Sequence, residues 1–334
     1  MEKITSLQVA ERAGVSQSAV SRVFTPGASA SAKTVAAVKK AAAELGYRPN
    51  MMARAMITGK SRIIGLVVAY LDNQFYPLAL QLLSKALQEQ GYHILVFTAS
   101  NSHDAVDGVM QELLDYQVDG IITASVGMTS DLTRRCADAG IPVVMFNRGQ
   151  TGEGFSAVTS ANRAGGAAVA DFLMACGHQR LAHISGWSGS STGRDRQAGF
   201  TAALAAKGIT PTIVEGNFDR ATAAAATRQL MDSATPPDAI FVGNDHMAFA
   251  VLDALRGELG LRVPDDVAVV GYDDVPLAAW AAYDLTTMRQ PVNRMVEATV
   301  DTLLTRIADP STPHKRIEIE SPLIERGTTR RPKT

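Results

Sequence analysis

Between residues 5 and 45 the apolar positions return every three or four residues in three short bursts, a pattern that predicts three amphipathic helices. The first opens at Thr5-Ser6-Leu7-Gln8, a hydroxyl followed three residues later by a Gln, which is the capping-box spacing. Leu7, Ala10 and Ala13 are expected to face inward, and Gly14 to end the helix in the left-handed conformation. Ser16 is the expected N-cap of the second helix, over about residues 17–24, with Val15 and Val20 placed as a hydrophobic staple. Ala19, Val20, Val23 and Phe24 form its apolar side. Gln17, Ser18, Ser21 and Arg22 share the opposite stripe. A third helix begins after Ser31, shows Val35, Val38, Ala42 and Leu45 on one face, and stops at Gly46.

From residue 62 the period changes. Unbroken apolar runs at 63–68, 93–97, 120–123, 143–146, 181–185, 239–242 and 267–271 are bounded by Gly, Pro or polar residues. Runs of this kind read as strands buried on both faces, hence parallel sheet. Helical patterns at 78–90, 106–116, 163–176 and 248–259 supply the crossovers. The expected fold is an α/β core of two doubly wound parallel-sheet lobes behind an all-α helix-turn-helix domain.

Charge sharpens this division. Residues 1–62 carry a formal +7, while the rest of the chain carries -8, so the overall -1 conceals a basic head on an acidic body. A basic helical head suits a polyanionic partner. The two cysteines, Cys136 and Cys176, have no metal-ligand spacing, and neither a disulfide framework nor a metal site is expected. No apolar stretch approaches the ~20 residues that span a bilayer, and the N-terminus lacks the pattern of an export signal. The expectation is therefore a cytoplasmic protein with no membrane partner.

The polar stripe of the second helix holds what reading a base pair needs: a Gln that can pair with adenine, a hydroxyl, and an Arg that can bind guanine through two hydrogen bonds. A helix of eight residues, roughly 12 Å long, fits the major groove. Lys33, with Lys39 and Lys40, is a candidate phosphate contact. In the core, the first strand runs into Asp72-Asn73-Gln74-Phe75-Tyr76-Pro77, with no glycines to cradle a pyrophosphate. No P-loop occurs elsewhere, so a nucleotide cofactor is not expected. Polar residues gather instead after the expected strand ends: Asp72, Asn73, Asn147, Arg148, Arg196, Asn244, Asp245 and Asp273, with the aromatics Phe75, Tyr76, Trp187, Phe218 and Trp280 among them. Hydrogen-bonding groups among aromatics at that edge suit a polar small molecule held between two lobes.

The runs VAERAGVSQSAVSRVF and SAKTVAAVKKAAAELGYRPN resemble the head of the lactose-repressor (LacI/GalR) family of bacterial transcription regulators, and the similarity continues over about residues 4–330. The resemblance implies that Gln17, Ser18 and Arg22 read bases and that Ser16 and Ser21 contact phosphate. It makes residues 50–58 a hinge helix entering the minor groove, with Asn50, Ala53 and Met56 in the DNA-contact set. Met56 stands where the family commonly has Leu. In the core it assigns Arg196, Asn244, Asp245, Asp273 and Gln290 to effector or pocket positions. Asn147 replaces an Asp frequent in the family. The implied two-lobed core is of the periplasmic-binding-protein kind.

The expected organisation is a DNA-binding domain at 1–48, a hinge at 49–61, one lobe from 62–160 plus 290–318, and another from 161–289 plus 319–330. The expected function is a ligand-responsive, sequence-specific repressor of genes for uptake or catabolism of a sugar-like or other polar small molecule. It would act without cofactor on pseudo-palindromic operator DNA, associated with the nucleoid. Residues 327–334 are too short for a tetramerisation helix, so a homodimer is expected. The alternatives are a stand-alone small-molecule-binding module and a sugar-active enzyme with an accessory DNA-binding cap. No catalytic set supports the latter. The histidines are scattered, His183 reads as a core residue within an apolar strand, and Ser185-Gly186-Trp187-Ser188-Gly189 lacks the acid-base partners of a nucleophile elbow.

Overall fold

The computed structural model describes residues 4–25, 28–48, 59–69, 71–99, 103–127, 130–150 and 154–332. The hinge assignments Asn50, Ala53 and Met56 lie outside these. The chain divides into two compact units, Met1–Ser61 and Arg62–Thr334.

The first unit contains helices α1 (Ser6–Ala13), α2 (Gln17–Val23) and α3 (Ala32–Leu45). Thr5 and Gln8 form the reciprocal capping box, and Gly14 closes α1 at φ 64°. The core of this unit is Val9, Ala10, Val20, Val38, Ala41 and Ala42, with Val15 and Tyr47 packed against it. Leu7 corrects the sequence reading, being 52% exposed while Val9 is fully buried. The inward stripe runs through Val9, Ala10 and Ala13, a 3.6-residue period that leaves Leu7 one position off the face.

The second unit holds two six-stranded sheets. Sheet A has the order β11-β5-β4-β3-β1-β2 and sheet B the order β12-β10-β9-β8-β6-β7. Sheet A comprises β1 (Ile63–Val68), β2 (His93–Thr98), β3 (Gly120–Ala124), β4 (Val143–Phe146), β5 (Ser156–Ser160) and β11 (Arg316–Ile319). Sheet B comprises β6 (Leu181–Ser185), β7 (Thr212–Glu215), β8 (Ala239–Val242), β9 (Ala268–Asp273), β10 (Thr286–Arg289) and β12 (Leu323–Ile324). Every pairing is parallel except β10 with β12.

The crossover helices are α4 (Phe75–Glu89), α5 (His103–Asp115), α6 (Ser130–Asp138), α7 (Asn162–Ala175), α8 (Ser191–Ala205), α9 (Arg220–Met231), α10 (Asp245–Asp253) and α11 (Val292–Ala308). The chain passes between sheets three times: after β5, after β10 and after β11. His183, on β6, is fully buried. It shares a hydrogen bond through Nδ1 with the Phe241 carbonyl at 2.9 Å and stacks on the Phe241 ring. Burial pushes its pKa down to about 4, so it is a neutral core residue at pH 7.

Candidate functional site

Two sites emerge, one in each unit. In the first, Ser16 caps α2 by accepting from the Ala19 N–H at 3.2 Å, and its hydroxyl lies 2.9 Å from that of Ser18. Gln17 donates to the Ser6 hydroxyl at 2.9 Å, which anchors its amide to α1. Gln17, Ser18, Ser21 and Arg22 are all exposed, and the Arg22 side chain makes no ion pair or hydrogen bond with another of the described residues. Lys33 is exposed at the start of α3. The arrangement is a short, capped helix whose buried Val20 packs in one core with Val9 and Val38 and whose free side carries donors of three different lengths.

In the second unit, a cavity of about 370 Å³ lies between the carboxyl ends of the two sheets. Asp72 and Asn73 reach it from the turn after β1, Tyr76 from the first turn of α4, and Asn147 and Arg148 from the end of β4. Thr192 and Arg196 come from α8, Phe218 from the turn after β7, Asn244 from the end of β8, and Asp273 from the end of β9. Strand ends supply the site because parallel crossovers gather their loops at that edge.

Arg196 is 2% exposed and held by a contact on each of its three nitrogens. It donates through Nε to Asn162 at 2.8 Å and through one terminal nitrogen to the Gly243 carbonyl at 2.7 Å. Its other terminal nitrogen is 3.5 Å from Asp273. Its guanidinium carbon sits 3.6 Å from the Tyr272 ring centroid. Burial pushes the Asp273 carboxyl up, while Arg196 and a hydrogen bond from Gln290 at 2.7 Å pull it back. Asn147 donates to the Tyr76 hydroxyl at 3.0 Å, and its Oδ1 is buried with no hydrogen-bond partner. Such an acceptor is costly unless an occupant of the cavity donates to it. The Arg148 guanidinium lies 5.7 Å from the Trp187 ring and 6.0 Å from the Phe218 ring.

Asn147, Phe218 and Asp273 have φ of 69°, 56° and 125°, values that non-glycine residues adopt at a cost of ~1–3 kcal/mol each. The glycines of the Ser185–Gly189 run seat aromatic rings. A Cβ on Gly186 would lie 2.1 Å from the Phe218 ring, and one on Gly189 would lie 2.2 Å from that of Trp187. The run is thus a ring-packing turn. At the mouth, His246 Nε2 lies 3.6 Å from the Asp72 carboxylate across the two lobes.

Five residues expected in the site do not line the cavity. Phe75 is core, stacked on Phe146, because α4 begins three residues before the expected Leu78 and turns Tyr76 toward the opening instead. Asp245 is fully buried and accepts from Thr287 at 2.6 Å and from the Val275 N–H at 3.0 Å, bracing β10 and the loop after β9. Trp280 is 59% exposed. Gln290 stands behind Asp273, and Trp187 backs Arg148. Asn73 and Tyr76, which the sequence shows beside Asp72, do line the cavity, whereas nothing in the sequence signalled Thr192, which joins it only because α8 starts at Ser191. Among the described residues no cluster of side chains suits a metal ion, and no helix is long and apolar enough to cross a membrane.

Residues 7–50 match the family described as bacterial regulatory proteins, lacI family, and residues 170–329 match a periplasmic binding protein-like domain. The chain is 30% identical to the ribose operon repressor of Escherichia coli strain K12, over 97% of this chain and 99% of that protein. A crystal structure of the lac repressor dimer bound to operator and the anti-inducer ONPF superposes with a TM-score of 0.88. It is 28% identical, over 98% of this chain and 99% of that one. A complex of the transcriptional regulator CelR with cellobiose is 31% identical with a TM-score of 0.72, over 98% and 100% of the two chains.

Proposed function

The chain belongs to the lacI family of bacterial regulatory proteins, and from that premise we propose that it is a ligand-responsive repressor of genes for uptake or catabolism of a sugar-like molecule. It works as a homodimer on a pseudo-palindromic operator, one head to each half-site. Gln17, Ser18 and Arg22 read base edges. Ser16, Ser21 and Lys33 hold phosphates, and Asn50, Ala53 and Met56 complete the contact in the minor groove. Acting on the chromosome, it resides in the cytoplasm, at the nucleoid.

The effector lies in the 370 Å³ cavity. Arg196 and Asp273, already paired and held from behind by Gln290, present a fixed donor and acceptor that need no rearrangement on binding. Asn147 takes a hydroxyl hydrogen on its unpartnered oxygen, and Phe218 covers an apolar ring face. Residues from both lobes line the cavity, so an occupant binds best when they are closed, and that preference is what a distant DNA site can sense. The observation that carries this reading is likeness to an operator-bound repressor along 98% of the chain, so that head and cavity occur in one regulator.

The test is selection of preferred duplexes from a random pool with the full chain, followed by fluorescence anisotropy with and without pentoses, hexoses and disaccharides. An inverted repeat should emerge, its affinity should fall with salt, and one sugar class should change it roughly 5–150-fold, the usual range of allosteric coupling. Recovery of no inverted repeat would overturn the proposal.

A further inference from the structure

A second cavity, of about 570 Å³, opens at the opposite edge of sheet A, where its strands begin. Its apolar wall is Cys136 near the end of α6, Ile141, Pro142 and Val143 at the start of β4, and Pro310 in the loop after α11. Gly140 and Gly154 lie on its rim at φ of 69° and 95°, so no side chain fills it from there. Arg306, in the last turn of α11, His314 and Thr133 make the polar face, and among the described residues no carboxylate lines the space.

Arg306 donates to the carbonyls of Thr312 and Pro310, which folds the loop back as a wall. That uses two of its five N–H groups. Its Nε is buried with no hydrogen-bond partner, and among the described residues it forms no ion pair. Asp309, the acid on the same loop, is committed to the N–H and hydroxyl of Ser311. Helix capping accounts for the two carbonyl contacts. It explains neither the empty volume nor the unused Nε.

A guanidinium beside an apolar hollow is an anion site, because its planar fork matches a carboxylate or phosphate and an anion offsets the cost of the buried donor. We propose that this cavity binds a small organic anion, its charged head on Arg306 and its carbon body against Ile141, Pro142, Val143 and Pro310. The site is separate from the effector cavity yet joined to it by a strand. Val143 lines one and Asn147 the other, about 13 Å apart at the rise of an extended chain. An occupant that fixes the start of β4 therefore bears on the residues that hold the effector at its end.

His314 is the reporter, since burial and then the charge of Arg306 lower its pKa and a bound anion reverses the second effect. Proton NMR of the full chain, with the His314 signal assigned through His314→Gln, is followed while acetate, butyrate or inorganic phosphate replaces chloride at constant ionic strength. The proposal expects a saturable shift of that signal and a raised titration midpoint. Both should be lost in Arg306→Gln and also in Ala137→Phe, which narrows the mouth without touching the guanidinium. Response to butyrate alone identifies a carboxylate ligand, and response to phosphate alone a phosphoryl one. No response beyond chloride, or a response in either variant undiminished from that of the parent, would overturn the site.

Discussion

Asp245 shows how far a single carboxyl can depart from its sequence neighbourhood. Beside Asn244 it reads as a ligand contact, yet it is sealed behind the site, and burial followed by the charge of Asp273 pushes its pKa up to about 7. A carboxyl raised from 3.8 holds its proton more tightly in the folded chain than in the unfolded one. Its contribution to stability is therefore full below about pH 4 and is lost as pH rises through about 7. Asp273 shifts in the same direction. Asp245→Asn keeps an acceptor for Val275 and a donor for Thr287, so urea midpoints measured at pH 5 and pH 8 should lie closer together in the variant than in the parent. An unchanged gap would assign the slope elsewhere. Arg22 is the opposite case, exposed and with no side-chain partner among the described residues. Arg22→Ala should lower affinity for the preferred operator by ~1–3 kcal/mol and relax selectivity at one base pair. Equal weakening on every duplex would make Arg22 a phosphate contact instead.

At the scale of elements, local signals were legible and long-range ones were not. Thr5 with Gln8, Ser16, Ser31 and the left-handed Gly14 and Gly46 fix all three head helices within a few residues, because capping chemistry is written in adjacent positions. The β-branched runs gave the central strands. The sequence was silent on β5, β7, β10, β11 and β12, whose partners lie up to 159 residues away, as Lys315 donating to Ser156 illustrates. It also misplaced the start of α4, where Pro77 falls inside the first turn rather than before it. That error alone exchanges Phe75 for Tyr76 in the site.

Helices α7 and α8 carry a further element-scale consequence. A Cβ on Gly199 would stand 1.9 Å from the Arg163 carbonyl oxygen, and one on Gly166 would stand 2.1 Å from that of Arg196. Gly199→Ala must part the helices, costing about 1–3 kcal/mol as overpacking does. Because Arg196 sits on α8 one turn earlier, the variant should show both a lower urea midpoint and a smaller effector-induced rise in melting temperature. Loss of stability with an undiminished ligand response would separate the helix contact from the site.

On the scale of the whole molecule, each head presents only one short reading helix, so specificity rests on two copies. Scrambling one half of the selected inverted repeat should reduce affinity nearly to that for unrelated DNA, whereas scrambling the central spacer should cost less. Equal affinity for whole and half sites, measured by anisotropy at the same salt, would argue against a two-fold assembly. The three passages between sheets A and B have a different consequence, one for biosynthesis. Sheet A needs β11 and sheet B needs β12, both contributed by residues beyond 315, and Thr328 donates to the Val269 carbonyl inside the second sheet. Neither lobe can mature while the ribosome still holds that stretch, so the two halves finish together and a truncated product forfeits both at once.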